Sequence, residues 1–293
     1  LLVAERLGGE IVGCDALQVY VGLDAATSKP PLTFRERVPH HLVDCVDPRR
    51  DFNLADYVRA ADDAILGIAA RGRVPVVVGG TGMYLRGLLR GVVAAPERDA
   101  AGRDRLRAMA SRWGATRMHR WLRALDRRSA ERIAPADTQR VVRALEIALE
   151  GGATWSERLE REGTWGGAQE RYGSLKVGLD MDRDALRAGL DARVDGFFDA
   201  GLVAEVRALL ASGLGEGANA LKAIGYREVT AALRTGTDPD AAREAAKGGT
   251  RRYAKRQRTW FRHESGIVWL DAGDGPARLA ERIAALWGAP IQT

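Results

Sequence analysis

Cysteine is scarce in this chain: its 293 residues hold two, Cys14 and Cys45, with neither a metal-ligand spacing nor the density of a disulfide-stapled domain. Long apolar runs are missing as well. Runs such as residues 74–78, interrupted by Pro75, are far too short to cross a bilayer. No basic leader with an apolar stretch and a cleavage site stands at the start, and there is no repeat period or low-complexity tract. Disulfide scaffolds, membrane spans and repeat arrays are therefore not expected, and a reduced cytoplasmic protein is. Hydrophobic residues at 46% and aromatics at 6% are ordinary for a globular chain. A chain of this length buries a large core, as one big domain or a core with a smaller satellite.

Acidic residues are absent between positions 247 and 262, where seven basic ones stand: Lys247, Arg251, Arg252, Lys255, Arg256, Arg258 and Arg262. The whole chain carries a net charge of +6. A modest global excess says little, but a local one suits an anionic partner, because Lys and Arg replace the counterions around phosphates.

The pattern along the chain predicts alternating strands and helices. Residues 1–7 read as a helix tail stopped by Gly8-Gly9, followed by a buried strand over 10–14 that ends at Asp15. Apolar positions Leu54, Tyr57, Val58, Ala61, Ile65, Leu66 and Ala69 recur at helical spacing behind a capping Asn53. A strand over 74–78 then meets the turn Gly79-Gly80-Thr81-Gly82, which opens another helix. This is the grammar of a parallel sheet with crossover helices, in which ligands sit at the carboxyl ends of the strands. Asp15 and Thr81 occupy that position. Residues 103–161 turn all helical, and a Gly-rich stretch over 163–173 leads back. Strand 175–179 is expected to resume the same sheet. Helices follow from Asp184, Glu205 and Asp240 and over 250–262, then a strand over 267–270 and a closing helix over 276–287.

Several residues suggest chemistry on their own. A carboxylate at a strand end, such as Asp15, can accept a proton; it can equally cap a helix, and the residues alone leave both open. The pair His40-His41 invites a metal reading, but adjacent histidines rarely ligate one ion, so structural hydrogen bonding is expected. Gln139, Arg140 and Arg143 share one helix face, with Val141, Val142, Leu145 and Leu149 on the other. Arg251, Lys255, Arg258 and Arg262 fall at i, i+4, i+7 and i+11 and form one basic stripe, with Tyr253, Gln257 and Trp260 on another side. Such a stripe can follow a phosphate backbone while the aromatics pack inward.

The runs GCDALQVYVGLDAATSKP, HHLVDCVDP, FNLADY, VPVVVGGTGMYLRGLL, ADTQRVVRALE, AIGYRE and RRYAKRQRTWFR resemble, in order and spacing, those of the tRNA dimethylallyltransferases, across nearly the whole chain. The resemblance implies an α/β fold with a P-loop NTPase or nucleotide-kinase-like parallel core over 1–100 and 173–293. It also implies an all-helical insertion over 101–172 that binds the anticodon arm. The implied reaction moves a dimethylallyl group from its diphosphate to the exocyclic amine of the adenosine 3′ of the anticodon, with Mg²⁺ assisting the leaving diphosphate. Asp15 would be the general base, and Asp15, Ala16, Leu17 and Gln18 would line the extruded nucleotide. Thr81 would lie beside donor and tRNA, and Arg193 on the donor diphosphate, where a planar guanidinium binds oxygens in pairs. The chain departs from the pattern at Gly189, where a second arginine is common. Arg103, the 139–143 segment (Gln139, Arg140, Val141, Val142, Arg143), Lys222, Arg227, Lys255, Arg256, Arg258 and Arg262 would touch tRNA. A monomer is expected.

The family's Gly-x-x-x-x-Gly-Lys-Ser/Thr phosphate loop is not found in the sequence, so a fragment or mis-assigned start with poor activity is expected. Two alternatives stand beside the tRNA-modifying enzyme. One is a noncatalytic RNA-binding relative lacking the donor loop. The other is a prenyltransferase acting on free adenine nucleotides, which would need neither the insertion nor the basic helix. A kinase is more distant, since phosphoryl transfer needs the lysine of that loop.

Overall fold

A computed structural model describes residues 1–93, 100–162 and 169–288. The chain divides into two units, Leu1–Leu85 with Gly173–Thr293, and Arg86–Tyr172.

In the first unit, strand β1 (Glu10–Gly13) lies between β2 (His40–His41) and β3 (Pro75–Val78), parallel to both. Its residues are all buried, which is why they read as one apolar run. The two-residue β2 has no periodic signature and was not expected. The Leu54–Ala70 helix leads into β3 from a full capping box: the Asn53 side chain accepts from the Ala55 and Asp56 amides, and Asp56 accepts the Asn53 amide. Tyr57, Val58, Ala61 and Ile65 point inward as the spacing predicts, whereas Leu66 is exposed.

Strands β4 (Lys176–Asp180) and β5 (Ile267–Asp271) pair parallel in a separate sheet. One continuous sheet was expected; among the described residues no strand joins β3 to β4. Val78 and Leu179, at the ends of strands expected to share that sheet, are half exposed.

The polar segment after β1 is anchored by its apolar members. Val19, Tyr20 and Leu23 are fully buried against Val194, Phe198, Leu202, Leu221 and Tyr226. Burying an apolar side chain of this size contributes about 1.5–3 kcal/mol, so this loop is part of the core and its polar residues are fixed in place.

The basic segment is one 21-residue helix, Ala242–Arg262, where two helices were expected. Gly248-Gly249 lies inside it. A Cβ on Gly249 would come 3.1 Å from Arg227 Nη2 and 3.2 Å from Ile224 Cγ2, so glycine permits a close approach here instead of ending the helix.

The second unit is all helical among its described residues. Leu106, Met118, Leu122, Val141, Val142 and Leu145 form its core. Leu149, expected on the core side of Thr138–Leu149, is half exposed at the helix end. Most of the Gly-rich connection, residues 163–168, lies outside the described residues.

Candidate active site at the strand ends

The carboxyl ends of β1 and β3 lock together. Cys14 N–H donates to Val78 O at 2.8 Å, Thr81 N–H to Cys14 O at 3.2 Å, and Ala16 N–H to Thr81 Oγ1 at 3.2 Å. The turn must be glycine for a steric reason. A Cβ on Gly79 would sit 2.1 Å from Cys14 O, a backbone atom that cannot swing aside. Asp15 Oδ1 accepts the amides of Leu17 at 2.8 Å and Gln18 at 3.2 Å. No helix follows Asp15, so it does not cap one; one carboxylate oxygen instead closes a turn, while Oδ2 has no hydrogen-bond partner among the described residues. Asp15, Gln18 and Thr81 are all half-buried. The neighbouring Cys14 thiol is pushed up to about 12 by burial, which keeps it neutral and inert.

The basic helix lies across this corner. Gln257 Nε2 donates to Gly80 O at 2.8 Å, and Cβ atoms added to Gly80 or Gly82 would lie 2.2 Å from the Gln257 amide nitrogen and from Trp260 Cδ1 respectively. At the end of β4, Asp180 Oδ2 accepts from Arg258 at 3.0 Å and Arg262 at 3.1 Å. Burial alone would raise the Asp180 carboxyl; the Met181 amide and the two arginines outweigh it and hold it below its ordinary value. One helix thus gathers the carboxyl ends of β1, β3 and β4.

That packing revises the basic stripe. Arg251 pairs with Asp191 at 2.7 Å, and Arg258 and Arg262 share Asp180, so three of its four cations are paired within the protein, on two carboxylates. Lys255 and Arg256 are exposed and form no ion pair among the described residues; the Arg256 guanidinium rests over the Tyr253 ring.

Arg193, on the Arg183–Asp199 helix, reaches the same loop: its Nε donates to Ser28 Oγ at 2.8 Å. Gln18 Nε2 donates to the carbonyls of Thr27 at 3.1 Å and Ser28 at 3.0 Å. Lys29, almost fully buried, donates to Tyr20 O at 2.6 Å, to Asp24 at 2.8 Å and to Asp44. Gly189, one turn before Arg193, faces open space. Lys222 and Arg227 are bonded to Asn219 and Glu228.

In the helical unit the tRNA-facing expectations separate. Gln139 and Arg140 are exposed. The side chains of Val141 and Val142 fill the core and offer nothing to a ligand. Arg103 grips the buried Glu146 in a fork, with Nη2 at 2.7 and 2.8 Å from its two oxygens, and Arg143 reaches the same carboxylate at 3.0 Å. Those two charges offset a buried carboxylate, which would be costly unpaired.

The histidines are structural: His40 Nδ1 lies 2.7 Å from Val38 O, and His41 Nε2 2.7 Å from Glu10. Ser28, Lys29, Asp180 and Gln257 escaped the sequence reading. Gln257 had a signal, being a polar residue on the aromatic side of a helix; Ser28 had none, since only folding brings it to Arg193.

The profile described as IPP transferase matches residues 18–264. The chain is similar to a tRNA dimethylallyltransferase of Anaeromyxobacter dehalogenans, with 46% identity over 96% of this chain and 92% of the relative. Among solved structures it is similar to the full-length tRNA isopentenylpyrophosphate transferase of Bacillus halodurans, with 33% identity, a TM-score of 0.69, and 98% and 89% of the two chains covered. It is also similar to a eukaryotic dimethylallyltransferase caught acting on tRNA, with 25% identity and a TM-score of 0.79, over 100% of this chain and 76% of that one. Their P-loop NTPase-like fold agrees with the parallel α/β core and helical second unit found here. By sequence and by fold, the chain belongs to the IPP transferase family.

Proposed function

We propose that this chain transfers a dimethylallyl group from dimethylallyl diphosphate to the exocyclic amine of the adenosine 3′ of the anticodon in tRNA. The observation that carries it is 46% identity to a named tRNA dimethylallyltransferase along almost the full length of both chains. An exocyclic amine is a weak nucleophile. As its nitrogen bonds to the prenyl carbon and the carbon–oxygen bond to diphosphate breaks, Asp15 Oδ2 accepts the amine proton. Oδ1 meanwhile holds the turn, so the base is oriented before substrate arrives. Thr81 and the Gly79–Gly82 backbone shape the opposite wall. Arg193 presents its fork to the departing diphosphate. The adenosine must leave its stack to reach this corner.

Mg²⁺ belongs to the same proposal, as the ion that offsets charge on the departing diphosphate. Among the described residues no three His, Cys, Asp or Glu side chains gather into a metal cage. No step above runs through the ion. The tRNA is engaged by Lys255, Arg256, Lys222 and Arg227, and by Gln139 and Arg140 of the helical unit, with the protein acting as a cytoplasmic monomer. No helix among the described residues is long and apolar enough to cross a membrane.

The test is incorporation of radiolabelled dimethylallyl diphosphate into an anticodon stem-loop, for the chain alone and extended upstream in its reading frame. Label on the adenosine supports the reading. Tight stem-loop binding without label in either form turns it into a noncatalytic RNA-binding protein, and label on free adenine nucleotides but not on the stem-loop changes the substrate.

A further inference from the structure

Three residues other than glycine adopt left-handed backbone conformations among the described residues: Ser28 at φ 53°, Leu42 at φ 60° and Asp44 at φ 52°. They surround one knot. Lys29, which follows Ser28, is tied to Asp44 and Asp24, and Arg35 holds the other oxygen of Asp44 at 2.6 Å. Backbone in this region is disfavoured for a side-chain-bearing residue and persists where surrounding contacts over-determine it. At Ser28 the consequence is directional. Its carbonyl meets Gln18 Nε2 at 3.0 Å on one side, and its hydroxyl meets Arg193 Nε at 2.8 Å on the other.

An arginine side chain has many rotamers, and fixing one costs conformational entropy. Here Nε is held by Ser28 Oγ and the guanidinium carbon lies 5.7 Å from the Phe197 ring centroid. Both restraints leave the Nη1 and Nη2 edge unengaged among the described residues. That edge is the fork that grips two oxygens of a diphosphate.

We propose that Ser28 is a positioning residue for the prenyl donor: it holds the Arg193 guanidinium by Nε so that the Nη fork is set for the diphosphate before binding. The inference rests on the donor role given above to Arg193. The Ser28 carbonyl, a backbone group that glycine would keep, separately meets Gln18 on the adenosine side.

Ser28→Gly is the informative variant, because glycine takes φ 53° freely and lacks the hydroxyl. Binding of dimethylallyl diphosphate and of inorganic pyrophosphate is measured by calorimetry for the wild type, S28G, R193A and the double variant. Ser28→Gly should weaken both ligands about tenfold, as the loss of one hydrogen bond to a charged group. In the Arg193→Ala background it should change nothing, because its effect runs through the arginine. Stem-loop binding should stay unchanged in S28G. In the ligand-free protein, the Arg193 Nε–H resonance should lose its exchange protection in S28G, a readout that a general loss of stability would not confine to one side chain. Unchanged affinity in S28G, or equal losses with and without Arg193, overturns the proposal while the reaction stands. An Arg193→Ala variant that binds diphosphate normally, or a wild type that binds none, sinks the donor role of Arg193 itself and this inference with it.

Discussion

Gln257 donates its side-chain amide to the Gly80 carbonyl at 2.8 Å, and this bond registers the basic helix on the turn that carries Thr81. The turn has no other freedom, since Gly79 is already pressed against Cys14 O. The exposed cations Lys255 and Arg256 therefore stand on a helix fastened to the β1 and β3 ends. The basic helix and the Thr81 turn are thus joined by a side chain that carries no charge.

Asp15 should be tested with asparagine before alanine. Asparagine keeps an oxygen for the Leu17 and Gln18 amides and removes the base, whereas alanine also frees the turn. Asp15→Asn should lower prenyl turnover roughly 100- to 10000-fold, with stem-loop affinity within twofold of wild type on the order of assay error. A parallel loss of stem-loop binding would assign Asp15 a structural role only.

Lys255 and Arg256 are the cations to reverse. Changing both to glutamate should weaken stem-loop binding and flatten the slope of log affinity against log salt by about one to two phosphate equivalents. Arg258→Glu and Arg262→Glu should act differently, because each would face Asp180; loss of thermal stability is expected there before any RNA effect. An unchanged salt slope in the Lys255/Arg256 variant would remove this face from the interface.

Glu10 gives the fold an acid-sensitive joint. Hydrogen bonds from Arg71 and His41 hold this buried carboxyl at about 2, against an ordinary 4.5, even though burial acts in the other direction. A depressed native value stabilises the folded state fully above the ordinary value. The contribution fades as pH falls from 4.5 toward about 2. Glu10→Gln should lower the urea midpoint at pH 7 and show a flatter decline between pH 5 and 3. Identical pH profiles for the two proteins would exclude Glu10 as the source.

Gly189→Arg should strengthen the donor side. The position faces open space one turn before Arg193, so a second guanidinium fits there without a clash. Removing an exposed helical glycine should also add about 0.5–1 kcal/mol of stability. Calorimetry should show tighter pyrophosphate binding together with a raised melting temperature. A higher melting temperature with unchanged pyrophosphate affinity would place position 189 away from the donor.

What the sequence determined by itself was local or cumulative. The buried run of β1, the capping Asn53, the Gly79–Gly82 turn and the inward face of Leu54–Ala70 follow from short-range stereochemistry and periodicity. Seven ordered motifs carried the family. The tertiary structure decided whatever depends on partners distant in sequence. It placed Asp180 beneath Arg258 and Arg262 and Glu146 between Arg103 and Arg143, so that cations read as open to RNA are paired internally. It ran one helix through Gly248-Gly249, because the close approach of Arg227 and Ile224 outweighs glycine's weak helix propensity. It also brought Ser28 to Arg193 across 165 positions of chain. Spacing along a sequence fixes which residues share a face; only packing fixes what that face meets.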